Sequence, residues 1–471
     1  MAGNTEFHYI GIDVGTGSAR ACVIDHQGNI VGLASQSIKT WQPHPEFYEQ
    51  STKDIWDSIC AAVKQAIQEA GLQRSSIRGL AFDATCSLVV FSKETNNPVS
   101  VGGPKGSSDQ NVILWLDHRA VAETKTINAT GHPVLQLAAG VLNQIGLENL
   151  AIDDYAQIGG INGKNGRYLS AGERVGPLSE KAAEELGLSP GIAVGSGVID
   201  AYAGWIGTVG AKVDLGLDGP IDDREHLSHR LALVAGTSTC HLAMTSNEFV
   251  AGVWGPYRDV LFSGAYVAEG GQSATGELIR HVVESHPAYS KTATEAKDVG
   301  ISLYDFLNNY LREQAKESEC VHVSELAKHF FFYGDLWGNR SPIADAQMRD
   351  AVIGLRGDTS IKNLALHYYG ALEFIALQTR QIVDTMNERG YQISTIFMSG
   401  SQTLNDLLIH LIASCCKMPV IFPEYVHAAV CHGAAMLAAM AASQGSGEES
   451  KDLWSIHDPN EQAWPTFGPH G

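Results

Sequence analysis

A chain of 471 residues, 44% hydrophobic and 18% charged, exceeds what one hydrophobic core usually serves and is too apolar to be wholly disordered, so two substantial domains are expected. A formal net charge of -20 works against a sequence-independent grip on nucleic-acid phosphates or an anionic membrane, since both need a basic surface. A small-molecule substrate fits better, and an anionic nucleotide stays allowed, because backbone amides, helix N-termini and Mg²⁺ hold phosphate without an excess of Lys and Arg.

The lead from Met1 into Tyr9 has no basic segment followed by an apolar stretch of signal-peptide length, and no apolar run is long enough to cross a bilayer. The expected compartment is therefore the cytoplasm. Tyr9 to Ile24 reads as strand, Gly-rich turn and strand, with a third strand from Ile30 to Ser37. Ser51 to Ala70 has helical spacing, with Ile55, Ile59, Ala62, Val63 and Ile67 on one face, Ser51 as N-cap and Asp54 completing a capping box. Strands follow at Ile77 to Phe82 and Leu88 to Ser92, and strands alternating with helices indicate an α/β sheet.

A second sector opens near Ile192, and Leu231 to Met244 repeats the grammar of the N-terminus. DVGTGSARACV and VAGTSTCHLAM both enter a Gly-Thr turn from a strand and leave as a strand, the mark of an internal duplication. Helices are expected from Asn363 to Asn387, Leu404 to Cys416 and Gly433 to Ala442, and strands at Ile393 to Met398 and Pro419 to Phe422. The eight cysteines form neither a CxxC pattern nor a disulfide framework.

A Gly-Thr-Gly-Ser turn lets backbone N–H groups converge on a phosphate, and Asp13 just ahead of it can hold a hydrated Mg²⁺. The same segment also suits a tight turn with an Asx-type cap. Asp200 ends an apolar strand among small residues, as a base for a sugar hydroxyl would, although a lone Asp is more often a cap or a surface group. Trp115 to Arg119, WLDHR, suits polyol binding and equally suits a partly buried Asp-Arg pair.

Taken together, the segments IGIDVGTGSAR, FDATCS, WLDHR, GVIDAYAG, AGTST, EGGQSATGELI, GNRSP and SGSQTLN resemble the FGGY carbohydrate kinases, in particular their ribulokinase-like (pentulose kinase) branch, over most of residues 9 to 440. The resemblance implies two actin-like, ribonuclease-H-like lobes, residues 1–194 and 195–442, followed by a polar tail, 443–471. It implies a cytoplasmic phosphotransferase that uses ATP and Mg²⁺ to phosphorylate a ketopentose, most of all D-ribulose, with self-association left open. Asp200 would be the general base and Asp13 the metal ligand. Gly15, Thr16, Gly17, Arg20, Gly236, Thr237, Gly276, Gly400 and Asn405 would hold the nucleotide, and Asp83, Thr85, Asp117 and Arg119 would face the sugar.

The chain departs from the family pattern in two places. Between Gly140 and Ile145 it passes directly from the helix after WLDHR to IGLENLAIDDYAQIGG, where family members carry helices and a short sheet, so a shortened N-terminal lobe is expected. That loss sets a rival reading, a non-catalytic actin-like nucleotide-binding protein. In the adenosine turn, Ser401 stands where a second glycine is usual.

Overall fold

The computed structural model describes residues 7–102, 106–130, 169–209, 227–245, 252–258, 260–261 and 265–444, and among them no helix is long and apolar enough to cross a membrane. The chain divides into two compact units. Described residues of the first lie before 210, between 256 and 267, and from 427 to 444; those of the second lie between 227 and 255 and between 268 and 426.

In the first unit β1 (His8–Val14) and β2 (Ser18–Ile24) form the expected hairpin, continued by β3 (Ile30–Ser37). β1 is buried along nearly its whole length, whereas β3 alternates in and out, as an edge strand with one covered face does. Two short strands, β4 (Trp41–His44) and β5 (Phe47–Gln50), precede α1 (Thr52–Glu69). The Ser51 hydroxyl accepts from the Asp54 amide at 3.3 Å. The reciprocal half of the capping box is not made, because the Asp54 carboxylate accepts from the Lys39 amide instead (2.8 Å). Ile59, Ala62, Val63, Ala66 and Ile67 are buried along the helix face, and Gly32 lets β3 come close: a Cβ there would lie 2.3 Å from the Ala66 carbonyl oxygen.

β6 (Ile77–Ala84) runs parallel to β1. Beyond it β7 is only Leu88–Val89, shorter than expected, and with β8 (Val112–Ile113), β5 and β4 it makes a small four-stranded sheet. After α2 (Val121–Asn128) come β9 (Arg174–Pro177), α3 (Glu180–Leu186), β10 (Ala193–Gly195), β11 (Val198–Ile199) and α4 (Asp200–Val209). The main sheet has the order β3-β2-β1-β6-β10-β9, with β11 also beside β6. Residues 195–209, expected in the second lobe, therefore belong with the first unit, because β10 and β11 pair with β6. The junction at 140–145 lies outside the described residues.

The second unit opens with the hairpin β12 (Arg230–Ala235) and β13 (Thr239–Thr245); next along the chain are β14 (Trp254–Arg258) and β15 (Tyr266–Gln272). Then come α5 (Gly276–Glu284), α6 (Tyr289–Val299), α7 (Leu303–Glu317), the ribbon β16 (Phe331–Tyr333) with β17 (Ala351–Ile353), and α8 (Ile361–Asn387). β18 (Thr395–Ser399), α9 (Asp406–Cys416) and β19 (Val420–Ile421) complete a sheet ordered β14-β15-β13-β12-β18-β19. Tyr368, Leu372, Ile375 and Ile382 of α8 anchor its core together with Leu231 and Leu233 of β12.

α10 (Ala429–Ser443) belongs to the first unit, not to the second lobe as expected. Of the expected polar tail, Ser443 ends this helix, and residues 445–471 lie outside the described residues. α10 is rich in Ala, which favours the helix, and its small residues leave room for backbone-to-backbone packing. A Cβ on Gly11 would lie 2.0 Å from the Cys431 carbonyl oxygen and one on Gly79 2.4 Å from that of Ala438. Toward α4, a Cβ on Gly207 would lie 1.9 Å from the Ala429 carbonyl oxygen.

Overpacking at such a point costs typically about 1–3 kcal/mol and occasionally more. Gly207→Ala should lower the thermal melting midpoint clearly. Gly176→Ala, where an added Cβ meets nothing within 4 Å, should leave it nearly unchanged. Equal midpoints for the two variants in a calorimetric scan would refute the close packing of α4 on α10.

Candidate active site

The first unit gathers carboxylates at one end of its sheet. In the parallel register of β1 and β6, Asp13 stands directly beside Asp83, and β11 pairs Val198 with Asp83, which brings Asp200, at the start of α4, to the same end. Asp13 and Asp83 are both buried. Neither buried oxygen of Asp83 meets a hydrogen-bond donor. Burial pushes the Asp83 carboxyl well above its ordinary range, and the neighbouring charges of Asp13 and Asp200 push it further. Burial also raises Asp13, against the pull of Arg20, whose guanidinium lies 3.8 Å away.

The turn after β1 is closed by the Gly15 amide donating to the Ser18 carbonyl (3.0 Å), and an added Cβ on Gly17 would meet nothing within 4 Å. Neither Gly15 nor Gly17 adopts the left-handed region, so what glycine offers at Gly17 is open backbone rather than its φ. Thr16 is fixed from two sides. Its hydroxyl accepts from the Trp115 indole (3.0 Å) and its carbonyl from the Gln50 side chain (2.8 Å). Thr85 sits at the end of β6, its amide donating to the Val14 carbonyl (3.1 Å) and its hydroxyl 3.1 Å from that of Ser87.

Asp117 and Arg119 form a buried fork. Arg119 Nε and Nη2 donate to the two Asp117 oxygens at 2.8 and 2.7 Å, Nη2 also reaches Glu49 at 3.0 Å, and Nη1 donates to the Val101 carbonyl (3.0 Å). The guanidinium stacks on Phe47, and Asp117 further accepts from the Tyr48 amide (2.7 Å). Of the two readings of WLDHR, the structure displays the buried ion pair: these polar atoms are engaged within the protein, where they brace the segment carrying Trp115 and hence the first turn.

The second unit carries the matching turn between β12 and β13. The Gly236 amide donates to the Ser238 carbonyl (2.9 Å), and an added Cβ on Gly236 would again meet nothing within 4 Å. The N-terminus of α5 is tied to it: the Thr275 and Glu277 amides donate to the Thr237 carbonyl (3.0 and 3.2 Å), and the Gly276 amide to the Gly236 carbonyl (3.2 Å). Gln402 donates to the Gly236 carbonyl (2.6 Å), and the Thr239 and Thr275 hydroxyls lie 2.8 Å apart beside it. This cluster of Thr239, Thr275 and Gln402 was not foreseen as a unit, since it joins residues from three separate motifs.

Gly276 and Gly400, expected to line the nucleotide, press on the turn's own backbone. An added Cβ on Gly276 would lie 2.5 Å from the Gly236 carbonyl oxygen and one on Gly400 2.3 Å from that of Ala235. Gly400 also has φ +96°, whereas Ser401 lies outside the left-handed region and begins a short 3₁₀ turn, so serine is accommodated there. Asn405 caps α9 by accepting from the Leu408 amide (3.3 Å), donates to the Tyr368 hydroxyl (2.7 Å) and accepts from Asn308 (3.1 Å).

Among the described residues no three His, Cys, Asp or Glu side chains cluster as metal ligands. Mg²⁺ commonly uses one or two carboxylates and takes its other ligands from water and phosphate. The buried Asp13 beside the donor-less Asp83 oxygens fits such a partial set.

Two family models match the chain: the N-terminal domain of the FGGY family of carbohydrate kinases over residues 8–142 and its C-terminal domain over residues 231–442. A D-ribulokinase of Saccharomyces cerevisiae is 41% identical over 512 residues, covering 92% of this chain and 72% of that protein. A human FGGY carbohydrate kinase domain-containing protein is 35% identical over 505 residues, covering 93% and 89%. Both alignments are longer than the 471-residue chain, so each relative carries residues within the matched span that this chain lacks. Among solved structures, a xylulose kinase from Brucella ovis matches with a TM-score of 0.70 at 19% identity, covering 98% of this chain and 94% of that one. Plasmodium falciparum glycerol kinase with ADP matches with a TM-score of 0.69 at 14% identity and the same coverages. The fold is that of these actin-like sugar kinases.

The raised Asp83 carboxyl has a consequence for stability. Above the unfolded value of 3.8 and up to the raised folded value, the folded protein keeps a proton that the unfolded chain has released, so this group lowers stability as pH rises through that window. Asp83→Asn removes the effect. The melting midpoint of the variant should therefore gain on that of the parent from about pH 4 upward, the direction set by linkage. Parallel midpoints from pH 4 to 8 would show that Asp83 is not desolvated.

Proposed function

This chain belongs to the FGGY family of carbohydrate kinases, and we propose that it transfers the γ-phosphate of ATP to a primary hydroxyl of a ketopentose, D-ribulose first among them. The observation that carries the reading is the convergence of Asp13, Asp83 and Asp200 at one sheet end. A sugar supplies hydroxyl donors, which the buried Asp83 oxygens lack. The similarity to a yeast D-ribulokinase supports the choice of sugar.

Asp200 is the general base. It takes the proton of the attacking hydroxyl as the oxygen bonds to phosphorus and the bond to the ADP oxygen breaks. Its place at the start of α4 fixes it beside the ends of β6 and β11. Asp83 and Thr85 orient the sugar. Gly15, Thr16, Gly17 and Arg20 are the phosphate-binding residues of the first turn, and Gly236 and Thr237 those of the second; Gly17 and Gly236 leave open space above their backbone. Gly276, Gly400 and Asn405 shape the second turn by packing. Bound Mg²⁺ would be held through Asp13 and would neutralise charge on the β and γ phosphates. Asp117 and Arg119 act on the sugar only indirectly, by bracing Trp115 against Thr16. ATP as donor suits the cytoplasm as the site of action.

A second reading has one specific observation behind it. Both alignments exceed the length of the chain, and the N-terminal family model stops at residue 142, close to the junction at 140–145. A protein that binds ATP with little sugar turnover would follow if the absent residues complete the sugar pocket.

A coupled ADP-release assay across D-ribulose, other ketoses and polyols separates the two. The proposal expects sugar-stimulated ADP formation; nucleotide binding with no stimulation by any sugar would favour the second reading. Asp200→Asn should lower turnover by about 10²- to 10⁴-fold with ATP binding nearly unchanged. Near-normal turnover in that variant would move the base to another carboxylate.

A further inference from the structure

The segment Gly338 to Pro342 is fastened at nearly every residue. The Ser273 hydroxyl donates to the Gly338 carbonyl (3.1 Å) and the Ser341 hydroxyl to the Gly252 carbonyl (2.8 Å). Asn339 donates to the Asp335 carboxylate (2.8 Å) and accepts from the Ile343 amide (2.9 Å). Asp335 is itself buried and also accepts from Gln378 (3.0 Å) and the Tyr333 hydroxyl (2.5 Å). A loop held by this many bonds does not depend on Arg340 for its position.

Arg340 instead extends over β15. Its guanidinium pairs with the buried carboxylate of Glu269, and Nη1 lies 3.8 Å from Cys240 Sγ. Gly271 leaves the space for it, since an added Cβ there would lie 2.9 Å from Arg340 Cζ. β15 leads into Thr275 and Gly276, whose amides bind the Thr237 and Gly236 carbonyls, and Cys240 follows Thr239 on β13. Side chains alternate along a strand, so the hairpin has the neutral donors of Thr239 and Gln402 on one face and a guanidinium on the other. Arg280 and Arg380, by contrast, pair with carboxylates of their own helices.

We propose that Arg340 contacts the terminal phosphate of ATP held at the second hairpin, with Glu269 aiming the guanidinium; this rests on the kinase reading above. A guanidinium stays charged at all working pH values, and its planar fork matches phosphate oxygens. In a chain of net charge -20, a local cation at the phosphate end offsets repulsion that the backbone amides alone do not.

The test is calorimetric binding of Mg·ATP and Mg·ADP, without sugar, to the parent protein and to Arg340→Gln and Arg340→Lys. Losing hydrogen bonds to a charged group corresponds to about 10- to 100-fold in affinity, expected for ATP, with ADP changed by less than about threefold. Lysine keeps the charge without the fork and should fall between. Arg340→Lys also serves as the readable variant if Arg340→Gln melts early. Adding Glu269→Gln to Arg340→Gln should not restore ATP affinity. Equal losses for ATP and ADP, or rescue by Glu269→Gln, would overturn the proposal and make Arg340 the counter-ion of Glu269. So would a parent protein that binds neither nucleotide. A parent that binds ATP but phosphorylates no sugar would defeat the kinase reading while leaving the ATP-against-ADP comparison intact.

Discussion

The carbonyl oxygen of Cys431 occupies the place that a Cβ on Gly11 would take, and the same relation holds between Ala438 and Gly79. A helix lies on a sheet at this distance only where side chains are missing at the points of contact, which is why β1 and β6 carry glycines and α10 is rich in alanine. The close approach seals the sheet that carries Asp13 and Asp83 from water. Cys431, on the same helix, adds to the forces that raise Asp83. Desolvation of these two carboxylates, and with it the upward shift of both, depends on this packing of backbone on backbone.

The two units repeat one device with different surroundings. Each presents an antiparallel hairpin with a turn that closes back on itself through a glycine amide, and in each a glycine leaves the turn open above its backbone. In the first unit the turn is backed by the carboxylates; in the second it is backed by hydroxyls, an amide side chain and the N-terminus of α5. A nucleotide's phosphates need neutral and positive donors, and a sugar's hydroxyls need acceptors. In the proposed reading, the acceptors suited to a sugar are the carboxylates of the first sheet, while phosphate donors come from both turns.

Much of this was legible because it is local. The hairpins, α1 and its Ser51 cap, the start of β6 and the long α8 all follow from short-range pattern and turn residues. The register that sets Asp13 beside Asp83 is not local, and neither is the meeting of Gln402 with Gly236 and Thr275. Local reasoning also misassigned causes. Neither Gly15 nor Gly17 takes a positive φ while Gly400 does, and Asp54 leaves its capping box for the Lys39 amide, a partner from another strand end. The boundary between units was misplaced because α4 and α10 join the first unit through contacts between residues more than a hundred positions apart.

The account stands or falls on where the γ-phosphate goes. Phosphorus NMR of the protein with Mg·ATP and D-ribulose follows that atom directly. The account predicts that the γ signal is replaced by a sugar phosphomonoester in step with the appearance of ADP. Conversion of ATP to ADP and inorganic phosphate alone, with no phosphomonoester for D-ribulose or any other ketopentose, would contradict it.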